Sequence, residues 1–456
     1  MMLDELKIKI QAKEARLAVI GLGYVGFPVA CEFARLGFDV LGVDLRRDRV
    51  DMINSGQSPI IGNEPGLSEL AAEVIGKRKF RAEFDYEQMV DRDVIIICVE
   101  TPVDEHNIPR YTALRSALNQ LGPVLKDGAL VIVESTIAPR TMQDVVLPNL
   151  EQATLKRLND GFYLGNCPER VMPGKLLANI RGVHRVVGGM TPETAQVIAL
   201  LYRHIVHAEI DQTDCITAEV VKTVENTYRD VQIAFANEVA LICEQVGGDV
   251  WRVRELVNKS PGRMMLMPGA GVGGHCIPKD PWLLAYSVHE DDVQLRIIPA
   301  ARSVNNYMPY HMVELIKKGL ESIGSQIPRA KILVMGYSYL EDSDDSRNSP
   351  SKVLIGYLED QDADCIIHDP FIEDYQGSLL DKAQGCDAAV IMVGHTEYRK
   401  LDLKALSAVM KTPVLIDGRS VFDPATAARA GFTYWGVGVH PEAHEKIQMN
   451  EVKPIQ

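Results

Sequence analysis

Arg16-Leu17-Ala18-Val19-Ile20-Gly21-Leu22-Gly23-Tyr24-Val25-Gly26 joins a short apolar strand to glycines spaced G-x-G-x-x-G, and residues 27–36 behind it carry a helical pattern. A lone G-x-G-x-x-G is a weak signal. Here a strand precedes it, a helix follows, and a second apolar strand over 38–43 ends in Asp44. That order opens a doubly wound α/β sheet that binds a dinucleotide. The glycines permit a tight turn and let pyrophosphate approach the N–H groups at the helix start, so Gly21, Gly23 and Gly26, with Tyr24 and Val25 between them, are candidate cofactor contacts. Asp44 would accept hydrogen bonds from the adenosine ribose, which favours NAD over NADP. Arg46, Arg47 and Arg49 just beyond could instead accept a 2′-phosphate, but the carboxylate would repel it. The expectation is NAD, with Arg49 among its neighbours.

The alternation continues outward. Asp93-Val94-Ile95-Ile96-Ile97-Cys98-Val99 and Ala129-Leu130-Val131-Ile132-Val133 read as parallel strands, each after a helical stretch. They end in Glu100-Thr101-Pro102 and Glu134-Ser135-Thr136. Such polar ends hold ligands in doubly wound sheets, and they also cap helices. A further strand over 161–167 runs into Pro168-Glu169-Arg170-Val171-Met172-Pro173-Gly174-Lys175, where Glu169 could touch a substrate or form an ordinary loop ion pair.

From Asp214, a plausible N-cap, to about Val246 there is neither Pro nor Gly, so one long helix is expected. Val220, Val221, Val224, Val231 and Phe235 make it apolar enough to need cover, between domains or across a dimer axis. Glu219, Lys222, Asn226, Arg229 and Ile233 share a face by spacing. A solvated charged face explains such a stripe; donors aimed at a substrate oxygen explain it equally, with Lys222 and Asn226 one turn apart.

Gly269-Ala270-Gly271-Val272-Gly273-Gly274-His275-Cys276-Ile277-Pro278-Lys279-Asp280-Pro281 then places a thiol on a glycine-rich turn beside a lysine and a carboxylate. By base rate a single cysteine is a buried structural thiol. With a cofactor site elsewhere in the chain it becomes a candidate nucleophile, and Gly271 and Gly273 become candidates for making room for a substrate ring.

Near Pro328 a second α/β alternation begins: Lys331-Ile332-Leu333-Val334-Met335-Gly336, Asp364-Cys365-Ile366-Ile367-His368, Ala388-Ala389-Val390-Ile391-Met392-Val393 and Val414-Leu415-Ile416. It lacks the glycine fingerprint. An acidic loop over 341–350 carries one arginine, Arg347, which could neutralise a phosphate of cofactor or substrate. After about Trp435 a polar tail with His440 and His444 offers no chemistry.

The whole composition sets bounds. At 456 residues the chain exceeds one ordinary core. The expected division is a dinucleotide-binding domain over 1–211, a central helical domain with the cysteine loop over 212–322, and a second Rossmann-like domain over 323–456. A net charge of −14 argues against nucleic acid or an anionic membrane surface as partner. No apolar run approaches a membrane span, and residues 1–16 read as a charged helical lead-in rather than a signal peptide. Eight cysteines without C-x-x-C pairs suit reduced thiols in the cytoplasm, with no metal site.

Three of these motifs together resemble the signatures of the UDP-glucose/GDP-mannose dehydrogenase family over essentially the whole chain: 21–26, 168–174, and Gly271-Val272-Gly273-Gly274-His275-Cys276-Ile277-Pro278. His275 before the cysteine is similar to the N-acetylhexosamine branch, and Pro168-Glu169-Arg170-Val171 is closer to its UDP-N-acetyl-D-mannosamine members than to those acting on UDP-N-acetyl-D-glucosamine. The resemblance implies an NAD-dependent four-electron oxidation of the sugar C6 alcohol to a carboxylate through a thiohemiacetal and thioester, in a homodimer or higher homo-oligomer. It implies that Cys276 is the nucleophile and that Lys222 and Asn226 hold the oxyanion. Asp280 would orient water, and Thr136 and Glu169 would share a water in proton transfer. Gly21, Gly23, Gly26, Asp44 and Thr101 fall on cofactor contacts; Glu169, Arg170, Val171, Lys222, Asn226, Gly271, Gly273, Arg263 and Arg347 fall on the substrate side. Departures from the family pattern are Glu100 for a proline, Pro173 for a second glutamate, Leu340 for a lysine, and Gly262 for an arginine, with Arg263 next to it. Two other classes fit fewer of these residues: a non-catalytic nucleotide-sugar sensor, and a cysteine-based aldehyde dehydrogenase acting on small metabolites.

Overall fold

Alternate residues of each central strand belong to different cores, which is what a sheet covered on both faces requires. In β1 (Arg16–Ile20), Leu17 and Val19 face one core while Ala18 and Ile20 face another. The same division runs through β4 (Val94–Ile97) and β5 (Ala129–Val133). The structure, a computed structural model, describes residues 2–288 and 293–439; His440 and His444 lie outside the described residues. By its backbone contacts the chain divides into Met1–Asn226 with Lys279–Gln294, and Thr227–Pro278 with Leu295–Gln456.

The first unit is built on an eight-stranded sheet in the order β3-β2-β1-β4-β5-β6-β7-β8. It adds β2 (Asp39–Val43), β3 (Phe80–Glu83), β6 (Phe162–Asn166), β7 (Arg185–Gly189) and β8 (Ile210–Asp214) to the strands already named. Its first six strands have the dinucleotide-binding order, with the topological switch between β1 and β4. The expected parallel pairing holds through β6, but β7 runs antiparallel to it. This reversal carries Arg185 into the sheet, with consequences described below.

The second unit holds a five-stranded, all-parallel sheet, ordered β10-β9-β11-β12-β13. Its strands are β9 (Lys331–Met335), β10 (Asp364–His368), β11 (Ala388–Ile391), β12 (Val414–Asp417) and β13 (Thr433–Gly436). Ile332 and Val334 face one core, Leu333 and Met335 the other. Two Rossmann-like sheets and a helical middle are therefore present, as the alternation predicts.

The long helix spans Cys215–Val246. Asp214 caps it by accepting from the Thr217 N–H at 2.9 Å. Its outer face is not covered by the described residues. Val224, Tyr228, Phe235, Ile242 and Val246 are all exposed, with Phe235 60% accessible. Among the described residues, no helix is long and apolar enough to cross a membrane, and no cluster of His, Cys, Asp and Glu could hold a metal ion.

Candidate active site

The turn after β1 separates the three glycine roles. A Cβ on Gly21, whose φ is +89°, would lie 2.5 Å from the Cys98 carbonyl oxygen, and one on Gly26 would lie 1.9 Å from the Gly21 carbonyl oxygen. Both glycines are needed for protein to pass protein. A Cβ on Gly23 would meet nothing within 4 Å, so there the backbone is open to a ligand. The turn thus fits a dinucleotide, whose pyrophosphate Gly23 and the start of the helix Gly26–Arg35 would receive. Tyr24 ties the turn to the following loop by donating its hydroxyl to the Ile61 carbonyl at 2.7 Å.

Asp44 is buried and accepts from the Leu22 N–H at 2.9 Å, the Arg46 N–H at 3.0 Å and Arg49 Nη1 at 2.8 Å. A carboxylate has about four acceptor sites, so three are already used in shaping the turn. Arg49 is therefore the partner of Asp44, which takes its charge away from a 2′-phosphate. Thr101 is buried and donates its hydroxyl to the Thr136 carbonyl at 2.6 Å, which locks the ends of β4 and β5 together.

The helix stripe resolves into separate tasks. Glu219 accepts the N–H groups of Arg140 and Met142, both at 2.8 Å, and so anchors the segment behind Thr136. Burial pushes its carboxyl up to about 7. Lys222 is 9% exposed, and among the described residues nothing pairs with its ammonium. Asn226 donates Nδ2 to Asp280 Oδ2 at 2.5 Å, and Lys279 Nζ reaches Asp280 Oδ1 at 2.6 Å. Asp280, fully buried at the start of the helix Asp280–Tyr286, is thus held on both oxygens. Arg229 further along the stripe is exposed. The solvated-face explanation holds for that residue and fails for Glu219 and Lys222.

Glu169 is buried, and its carboxylate accepts from the Arg170 N–H at 2.6 Å and from Arg185 Nη2. Arg170, expected on the substrate side, instead turns its guanidinium onto Glu225 at 2.9 and 2.6 Å and anchors this loop to the long helix. Val171 beside it is partly buried against the first unit's core. Nothing in the sequence singles out Arg185 or Glu225, since both are recognisable only from what they bond.

In the second unit Cys276 is exposed, whereas the other cysteines are buried or half-buried. The base-rate reading of a structural thiol fails at this position. The glycines before it also need a correction. A Cβ on Gly273 would lie 2.6 Å from the Tyr339 Cβ and 2.8 Å from the Asn348 carbonyl oxygen, and Gly271 faces Pro309 and Pro350. That space is filled by protein, so these side-chain positions do not make room for a sugar ring. Their absence lets the turn press against the 339–350 loop, where Gly274 N–H donates to the Arg347 carbonyl at 2.9 Å and Asn348 Nδ2 to the Gly274 carbonyl at 3.1 Å. The Arg347 guanidinium lies against Asp345 at 2.8 and 2.6 Å. Arg263 is exposed after Gly262.

The second sheet repeats the first turn in part. Gly336 follows β9 at φ +92° as Gly21 follows β1, and Asp369 after β10 accepts the Tyr337 and Ser338 N–H groups as Asp44 accepts that of Leu22. In place of a ribose partner it has a buried histidine. The Asp342 N–H donates to His395 Nδ1 at 2.9 Å, which leaves the proton on Nε2, 3.2 Å from Asp369 Oδ2. Burial opposes the Asp369 charge, but His395 and the N–H donors outweigh it and hold the carboxyl at about 2.

Family models match the chain in three consecutive parts: the NAD-binding domain of the UDP-glucose/GDP-mannose dehydrogenase family over 15–206, its central domain over 216–307, and its UDP-binding domain over 333–424. The chain belongs to this family. It is an NAD-dependent oxidoreductase of nucleotide-sugar dehydrogenase type. It is 37% identical to the UDP-N-acetyl-D-mannosamine dehydrogenase of Pyrococcus horikoshii, over 93% of this chain and 99% of that one. A solved structure described as that enzyme from P. horikoshii superposes with a TM-score of 0.87 at 36% identity, covering 93% of this chain and 99% of the other. The UDP-N-acetyl-mannosamine dehydrogenase of Staphylococcus aureus gives a TM-score of 0.82 at 34% identity, with 93% and 98% covered.

Proposed function

We propose that this dehydrogenase oxidises UDP-N-acetyl-D-mannosamine at C6 to the uronate, in two hydride transfers, with Cys276 as covalent nucleophile. The observation that carries this reading is the exposed thiol on a glycine-packed turn, in a chain whose largely buried Lys222 side chain has no ion-pair partner among the described residues. The relatives named for UDP-N-acetyl-D-mannosamine support the choice of sugar.

Bound NAD supplies the hydride acceptor, held by Gly21, Gly23, Tyr24, Val25, Gly26, Asp44 and Thr101, with Arg49 fixing Asp44. In the first oxidation Glu169 takes the C6 hydroxyl proton through a water that Thr136 also holds. The resulting aldehyde gives up no second hydride until a nucleophile makes its carbon tetrahedral, and the Cys276 thiolate does this. Lys222, helped by Asn226, stabilises the oxygen on which charge develops. After the second hydride leaves, water oriented by Asp280 cleaves the thioester and releases the carboxylate and the thiol. Arg347 and Arg263 are the candidate phosphate and sugar contacts in the second unit.

With NAD present, UDP-N-acetyl-D-mannosamine is expected to yield two NADH per sugar, with a kcat/KM above that for UDP-N-acetyl-D-glucosamine by about 10²-fold or more, since a polar site discriminates strongly on one misplaced group. NADH formation with the glucosamine epimer alone sinks the choice of sugar.

The exposed stripe on the long helix supports a homodimer through that face. Its spacing, Val224, Tyr228, Val231, Phe235 and Ile242, keeps one side apolar. Burying each large side chain contributes about 1.5–3 kcal/mol, so Phe235→Glu is expected to shift the protein to monomer in sedimentation velocity. A wild-type monomer at micromolar concentration overturns the proposal. Eight cysteines outside any disulfide, one of them exposed, fit a reducing compartment, and the cytoplasm is the proposed location.

A further inference from the structure

Glu169 does not stand alone. Arg185, 1% exposed on β7, forks between two carboxyls: Nη1 donates to Glu134 Oε1 at 2.8 Å and Nη2 to Glu169 Oε2 at 2.5 Å. Glu134 is 1% exposed and Glu169 6%. Were both carboxyls ionised, the group would carry one uncompensated negative charge out of water, which is costly. One retained proton makes it neutral. The two carboxyls compete unequally for that proton. Both Glu169 oxygens already face strong donors, the Arg185 guanidinium and the Arg170 N–H. Glu134 Oε2 faces the Cys98 thiol at 3.5 Å, a weak donor, and the Glu134 carboxyl also hydrogen-bonds that of Glu169, a bond that needs a proton on one of the two.

We infer that Arg185 and Glu134 are positioning residues for Glu169: the shared guanidinium and the neutral Glu134 keep Glu169 ionised and aimed, so that it can take the proton released when the sugar alcohol is oxidised. This rests on the reading of Glu169 as proton acceptor given above. The groups facing Glu134 are Cys98, Cys167, Glu169, Arg185 and Tyr202, and Arg185 is the one cation among them. Burial, then the neighbouring Glu169 charge, push the Glu134 carboxyl up to about 8. Burial also pushes Glu169 up, but Arg185 and the remaining donors outweigh it and leave that carboxyl below its usual range.

The test uses the full chain. Arg185→Gln removes the charge and keeps much of the reach. The pH at which kcat/KM rises on the acid side is expected to move up by about 1–3 units, the usual effect of losing an opposite charge beside a carboxylate, while the KM for NAD changes less than the kcat. A purely structural role would lower the active fraction and leave that pH where it is, and this result overturns the proposal. Because Arg185→Gln leaves two carboxyls unpaired and can fail to fold, Glu134→Gln supplies a second measurement without substrate or cofactor. A glutamate ordinarily titrates near 4.5 and Glu134 is held up to about 8, so the folded wild type keeps a proton that the unfolded chain releases. Its stability falls between these pH values and then levels off. Glu134→Gln lacks that term and is expected to gain melting temperature relative to wild type from pH 5 to 8. A constant difference across that range overturns the assignment of the proton. If the protein oxidises no UDP-sugar, the functional reading fails, and the ligand-free melting curves still decide where the proton sits.

Discussion

Cys276→Ser is expected to stop the enzyme after the first oxidation. The alcohol-to-aldehyde step needs a proton acceptor and a hydride acceptor and no nucleophile, so the variant retains weak formation of one NADH per sugar. The second step needs a tetrahedral carbon. Serine is nearly all neutral hydroxyl near neutral pH, whereas a cysteine supplies a few per cent of thiolate even without help. Sustained uronate formation should fall by roughly 10³- to 10⁶-fold, the range reached when a nucleophile acting with its neighbours is removed. The fold is expected to be unharmed. Cys276 is exposed, and substitutions at such positions usually stay within about 0.5 kcal/mol. The measurement is product analysis by mass spectrometry with NADH counted per sugar, together with a search for a covalent sugar adduct on wild-type Cys276. Uronate formed by the serine variant at the wild-type rate removes the covalent route.

How far such a site can be read before the fold is known depends on whether its parts are local. The dinucleotide turn is local: strand, glycines and helix lie within twenty-odd residues, although the spacing alone did not separate Gly23, open to a ligand, from Gly21 and Gly26, which pack on protein. The central strands were legible as apolar runs because both faces of the sheet are covered. β8 was not, since Ile-Asp-Gln-Thr-Asp is a polar edge with no such run. Arg185 was invisible for a different reason. Its partners stand 51 and 16 residues away, and only the reversed direction of β7 brings it to them. Helical spacing put Lys222 and Asn226 on one face, but the pairing of Asn226 with Asp280, 54 residues on, depends on how the chain returns. At Gly271 and Gly273 the sequence demanded absent side chains, without disclosing that Tyr339, Pro309 and Pro350 take the space.

Lys222 carries the second large expected effect. A lysine with so little of its side chain exposed normally gives its ammonium a carboxylate or carbonyl partner, because taking the charge out of water unpaired is costly. Among the described residues Lys222 has none, while Lys279, close by in sequence to Cys276, spends its charge on Asp280. Lys222→Ala therefore breaks no ion pair, and alanine is the most favourable helix residue. The variant should fold at least as well as wild type, which a melting curve checks. Its kcat should drop by about 10²- to 10³-fold, since a donor aimed at a developing oxyanion contributes about 3–4 kcal/mol to the barrier. NAD affinity, set by the turn at Gly21 to Gly26, should hold within about twofold, because those contacts do not change between ground and transition states. Steady-state kinetics with titration of NAD separate the two. A fall in kcat at constant NAD affinity assigns Lys222 to the transition state. A rise in the sugar-nucleotide KM with kcat intact reassigns it to ground-state binding, and the oxyanion would then have to be held by Asn226 alone, through the amide N–H not used on Asp280. The reason to expect the first result is charge: Asn226 keeps its second amide N–H beside the one given to Asp280, but a neutral donor stabilises a developing oxyanion less than a cationic ammonium does.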